Sequence, residues 1–94
     1  MHELALANEI CAIVERTVEA EHGGRMLTAV TVVAVEVGVR SNVEPDNLQF
    51  CLDALLSTPP FGRGVAQLIS VAGDDLRVAW FELDEENALH EVAS

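Results

Sequence analysis

Residues 26–37, Met-Leu-Thr-Ala-Val-Thr-Val-Val-Ala-Val-Glu-Val, constrain the fold more than any other stretch of the chain. Their β-branched side chains crowd a helix and suit a pleated strand. Alternation puts Val33, Val35 and Val37 on one side and Val30, Val32 and Ala34 on the other, so the strand is apolar on both faces. Neither face is suited to water. Such a strand belongs inside a sheet that has something packed upon it, and Gly38 ends or bends it.

The flanking segments supply that cover. Residues 3–22 repeat apolar side chains at Leu4, Ala7, Cys11, Val14 and Val18, widened by Ile10, Ile13 and Thr17, with Glu9, Arg16 and Glu19 opposite. This is the period of an amphipathic helix, with Glu3 suited to its positive end and His22-Gly23-Gly24 as its stop. Ser41-Asn42-Val43-Glu44 leads to Pro45, which is tolerated in a first helical turn, and Asp46 adds favourable charge there. A second helix over about 45–57 carries Leu48, Cys51, Leu52, Leu55 and Leu56 on one stripe until Pro59-Pro60. Strands are expected over about 65–72 and 75–84, joined as a hairpin across Ala72-Gly73-Asp74-Asp75. The acidic tail from about residue 85 is expected to fray or to form at most a helical turn.

The order α-β-α-β-β predicts a single two-layer α/β domain over residues 1–94, a three-stranded mixed sheet with two helices and one right-handed crossover. Two helices cover one face of such a sheet. Val30, Val32, Ala34 and Trp80 are then expected on an open apolar face, and a patch of that kind marks an interface. A homo-oligomer or a standing protein partner is expected, unless the segment Ala88–Val92 or helices on opposite faces cover the patch.

The chain has 94 residues, 16 of them acidic and 5 basic, for a formal net charge of -11. That field repels phosphate backbones and anionic lipid, which argues against nucleic acid and membrane surfaces as partners and favours cations or basic protein faces. No stretch reads as a signal peptide or a bilayer span, so a cytoplasmic location is expected. Cys11 and Cys51 lie inside the expected helices with no CxxC spacing; they read as small buried hydrophobes, and no structural zinc is expected. An enzyme is not expected either, since the chain has no nucleophile–base arrangement, no glycine-rich phosphate loop and no evident carboxylate pair.

Chemistry concentrates at the start. In Met1-His2-Glu3-Leu4 the terminal amine, the His2 ring and the His2 backbone nitrogen can reach one metal, and the next backbone nitrogen could close a square. Planar nitrogen ligation suits Ni(II) or Cu(II) better than tetrahedral Zn(II). The bulk of His2 favours retention of Met1, which keeps the amine in place. A solvated chain end is the plainer alternative.

Met1-His2-Glu3-Leu4 with its helix, Val35-Glu36-Val37-Gly38, Arg40-Ser41-Asn42-Val43-Glu44-Pro45 followed by Leu48 and Phe50, and Gly73-Asp74-Asp75-Leu76-Arg77-Val78 occur in that order. Together they resemble the hydrogenase nickel-incorporation family, HypA/HybF. The resemblance implies a nickel-binding α/β domain in which the Met1 amine, the His2 ring and backbone nitrogen, and the Glu3 backbone nitrogen hold Ni2+. Beside it, the Glu3 carboxylate and Glu44, near the start of the second helix, could act as outer partners of the ligands. It further implies a metallochaperone-like role in maturing a NiFe hydrogenase or related nickel enzyme, with a hydrogenase large-subunit precursor and a HypB-like GTPase as partners. Members of the family also carry a zinc domain with paired CxxC motifs between what would be the second and third strands. Here Val71 runs through Ala72–Asp75 into Leu76, so roles tied to zinc are not carried over. An assembly or regulatory module without metal delivery is the alternative. His22 and His90 fall outside the motif, the first suited to a helix end and the second to a solvated tail.

Overall fold

The valine-rich stretch is the interior strand of the sheet. The computed structural model describes residues 2–22, 24–84 and 88–92, with only the backbone described for 24–26 and 88–91. In it β1, Val30–Gly38, lies between β2, Val65–Val71, and β3, Leu76–Leu83, while β4, Ala88–Glu91, adds a further strand in the order β2-β1-β3-β4. β1 runs parallel to β2, with Val35 opposite Leu68, and antiparallel to β3, with Val33 opposite Phe81. The sheet is mixed, as the sequence implies.

Two helices cover one of its faces, α1 over Glu3–His22 and α2 over Pro45–Leu56. Ala7, Ile10, Cys11, Val14 and Val18 of α1 and Leu48, Leu52 and Leu56 of α2 share one core with Val33, Val35, Ala66, Val78, Phe81 and Leu83 of the sheet. Each fully buried leucine contributes about 2 kcal/mol through the surface it removes from water. Among the described residues no helix is long and apolar enough to cross a membrane.

Several sequence expectations are corrected by the structure. β2 and β3 are consecutive in sequence but not neighbours in space, so the expected hairpin does not form. β1, apolar on both faces, takes the place between them, and residues 72–75 arch over its end. There Val39 N–H donates to Val71 O at 2.9 Å, Gly38 N–H to Asp75 O at 2.8 Å and Arg40 N–H to Gly73 O at 2.8 Å. A Cβ on Gly38 would lie 2.5 Å from the Gly73 carbonyl oxygen, so only glycine lets the arch come this close.

The strand also begins later than its composition suggests. Gly24–Ala29 form a 3-10 turn against α1, with Leu27 and Ala29 buried, because the chain must reverse from the helix end into the sheet. The tail is not frayed over Ala88–Glu91: it pairs antiparallel with β3, Phe81 opposite His90, and occupies main-chain groups that a bare edge would expose. The three expected strands thus gain a fourth.

Finally, the β1–β3 register slips between Val30 and Val32. A one-residue bulge moves a side chain to the other face. Val30 therefore belongs to the helix-side core, fully buried, rather than to the open face with Val32 and Ala34.

Candidate metal centre

α1 starts at Glu3, and His2 precedes it with its carbonyl accepting the Leu6 N–H at 3.1 Å. The first N–H groups of a helix have no intrahelical acceptor, so the backbone nitrogens of His2 and Glu3 stand outside the helical ladder. The His2 side chain is exposed. Met1, with the expected amine donor, lies outside the described residues.

Glu3 behaves differently from its neighbours. It is 4% exposed and is the one buried charged or polar side chain among the described residues. Its Oε2 accepts the Glu44 main-chain N–H at 3.0 Å and its Oε1 accepts Asn47 Nδ2 at 3.1 Å. The Glu44 bond, with help from the Glu3 main-chain N–H and the Asn47 amide, holds the carboxyl below the usual carboxylate range against the opposing effect of burial. The carboxylate also sits where the N-termini of α1 and α2 meet, and both helix dipoles favour negative charge there. Its oxygens are committed to this joint.

That inward position was not read from the sequence. The buried stripe of α1 is Glu3, Ala7, Ile10, Cys11, Val14 and Val18, while Leu4 is 57% exposed. Glu3 stands four residues before Ala7, and this phase was the available signal. Asn47 gave none, because its role depends on where α2 begins.

The structure brings Glu44 to Glu3 through its backbone, whereas its side chain caps α2 by accepting the Asp46 N–H at 3.1 Å. The chain reaches this point through a tight turn in which Ser41 N–H donates to Gly38 O at 3.0 Å and Asn42 adopts a φ of 64°. Asparagine tolerates the left-handed region better than most residues. The Arg40-Ser41 motif thus contributes main-chain bonding that sets the height of Glu44 beside α1.

The remaining sequence candidates stand elsewhere. Cys11 is buried in the core, where desolvation pushes its thiol up to about 11, and Cys51 is half-buried on α2. His22 lies at the far end of α1, 3.7 Å from a Glu21 carboxylate oxygen, and the His90 side chain lies outside the described residues. Val32, Ala34 and Trp80 lie on the helix-free face of the sheet, with Ala34 paired to Trp80 and fully buried. Exposed Val65 and half-buried Ile69 and Val71 extend that face, and the Arg77–Glu36 ion pair at 2.8 Å crosses it. Among the described residues no three His, Cys, Asp or Glu side chains gather as a metal-holding group.

With this geometry established, comparison with known proteins is decisive. Residues 1–71, from the N-terminal motif to the end of β2, match the family described as hydrogenase/urease nickel incorporation, metallochaperone, hypA. The chain belongs to the HypA family. It is 34% identical over 73 residues to hydrogenase maturation factor HypA of Rhodopseudomonas palustris (strain BisB5), a match covering 78% of this chain and 61% of that protein. With HypA of Azoarcus sp. (strain BH72) the identity is 45% over 73 residues, covering 78% and 60%. With HypA 2 of Bradyrhizobium diazoefficiens it is 44% over 55 residues, covering 58% and 45%. The chain spans about three fifths of the length of the first of these HypA relatives.

Proposed function

We propose that this chain binds nickel at its N-terminus as cargo and serves as a metallochaperone in the maturation of a NiFe hydrogenase or related nickel enzyme. The donors are the Met1 amine, the His2 ring and backbone nitrogen, and the Glu3 backbone nitrogen. The observation that carries this reading is the division of labour at Glu3. Its carboxylate is drawn into the α1–α2 joint, and its backbone nitrogen lies ahead of the helical ladder beside an exposed His2. A planar d8 ion accepts deprotonated amide nitrogens, which release protons on binding, so affinity rises with pH. Glu44, exposed and with its main-chain N–H on the Glu3 carboxylate, is the outer partner to the ligands in this reading.

The partners consistent with this role are a hydrogenase large-subunit precursor and a HypB-like GTPase in the cytoplasm, drawn by the -11 charge to basic docking faces. Self-association through Val32, Ala34 and Trp80 would cover the helix-free face. No structural zinc is required, since the two thiols lie within helices rather than in a CxxC pair.

One observation favours a second reading. The link between β2 and β3 is the short Ala72–Asp75 turn, where the family resemblance leads one to expect a zinc domain. A module that kept the fold and the docking surface without carrying nickel would fit this economy. Calorimetric titration of Ni(II) into untagged protein and into its His2→Ala variant separates the two: the chaperone reading expects stoichiometric binding lost in the variant, the module reading expects none in either.

A further inference from the structure

The outer edge of β2 is closed along its first half and open along its second. β2 is an edge strand, and among the described residues β1 is its one neighbouring strand. Val71 O accepts the Val39 N–H across the β1 side, so the odd-numbered residues of β2 turn toward β1 and the even-numbered ones turn outward. α2 occupies the first outward groups. Gly64 N–H donates to Leu56 O at 2.9 Å, Ala66 N–H to Asp53 Oδ1 at 2.8 Å, and Ala66 O accepts from Gln49 Nε2 at 2.7 Å. These side chains stand in for the amides of a neighbouring strand.

The stand-in stops at Ala66. Among the described residues nothing meets the outward N–H and C=O of Leu68 and Ser70. Beside them, where α2 begins, lies a groove of about 420 Å3 lined by Val37, Val43, Pro45, Leu68 and Ser70. The stretch from Gly64 to Gly73 carries no charge and no proline, which are the usual devices that blunt an edge.

We propose that the β2 edge at Leu68 and Ser70 is a strand-addition site for an extended segment of another protein, apolar at its centre and basic at its ends. Main-chain bonds to Leu68 and Ser70 would hold the segment, and the groove would take an apolar side chain. Charge selects the occupant. Exposed Glu44 and Asp46 stand on either side of the groove residue Pro45 in the chain, which carries a net charge of -11. A second copy would bring the same negative charge to an acidic surface, whereas a basic segment is attracted to it. None of its residues belongs to the N-terminal motif, and Glu44 is the one residue it shares with the metal reading.

Residue-resolved amide exchange on the whole chain, with acetylated and amidated peptides as probes, tests this. The first probe has a valine–threonine core with lysines at both ends, and the second has glutamates in their place. In the free protein the Leu68 and Ser70 amides should exchange fast at every protein concentration while Ile69, bonded to β1, is protected. The lysine-ended peptide should slow Leu68 and Ser70 by about tenfold or more, with no effect from the glutamate-ended one. Ser70→Pro removes an outward N–H that an edge can do without, so it should keep Ile69 protected and abolish the slowing at Leu68. No slowing with the lysine-ended peptide overturns the proposal, as does equal slowing by both peptides. Protection of Leu68 that grows with protein concentration alone would assign the edge to a second copy and overturn it too. Should the variant lose Ile69 protection, the exchange result on the unaltered chain decides.

Discussion

The main-chain N–H of Glu44 donates to the carboxylate of Glu3 at 3.0 Å, joining the starts of two helices that lie 41 residues apart in sequence. The contact makes Glu3 a clamp by its side chain. The carboxylate is held below its ordinary value of 4.5, so its contribution to stability is present above that value and is lost as pH falls through the lower folded value. Glu3→Gln, which carries no charge to protonate, should lower the melting temperature near neutral pH and lose less on acidification than the parent. Thermal unfolding followed by circular dichroism across the acidic range checks this. Parallel acid profiles for both proteins would contradict it.

Gly38→Ala should destabilise the domain by about 3 kcal/mol, because the added methyl meets main chain that cannot yield cheaply. Chemical denaturation reads this directly. An unchanged midpoint would mean that the 72–75 arch does not press on the end of β1.

Much of the architecture was legible because periodicity is local. The helices at Glu3–His22 and Pro45–Leu56 follow from apolar spacing, from Pro45 in the first turn and from the glycines after His22. What was hidden depends on distant pairing. Strong turn chemistry at Gly73-Asp74 suggested that β2 and β3 pair, but β1 has the greater apolar surface and takes the place between them. The slip that sends Val30 into the core is a property of the β1–β3 ladder and leaves no mark in the composition of β1. At the candidate site His2 and Glu3 could be singled out from sequence, whereas the Glu3–Asn47 bond required both helix starts to be placed first.

A positive charge at Val32 or Trp80 should disperse any assembly formed through the helix-free face. Both residues are half-buried there, and Trp80 is paired to Ala34 in the middle of the patch. Light scattering at micromolar concentration should show a parent larger than the Val32→Lys protein. Equal sizes and equal stabilities would remove the interface.

The two thiols should separate by reactivity. Burial pushes Cys11 up to about 11 from an ordinary 9.0, and Cys51 is only half-buried. A thiol reagent at mildly alkaline pH should label Cys51 in the folded protein and Cys11 only on unfolding. The stability that follows from the neutral Cys11 thiol is complete below 9.0 and declines as pH rises toward about 11. Incubation with a chelator should leave the circular dichroism spectrum unchanged, and unfolding under chelation would place a structural metal on one of these thiols.

Nickel is expected on the amine, ring and backbone nitrogens of the first three residues. Titration of Ni(II) into untagged protein, read by absorption, tests it most directly when run beside the His2→Ala variant and a protein whose N-terminus is acetylated. One nickel per chain is expected, with the spectrum of planar nitrogen ligation, tighter as pH rises, and with that spectrum lost in both altered proteins. Undiminished binding in His2→Ala would contradict it.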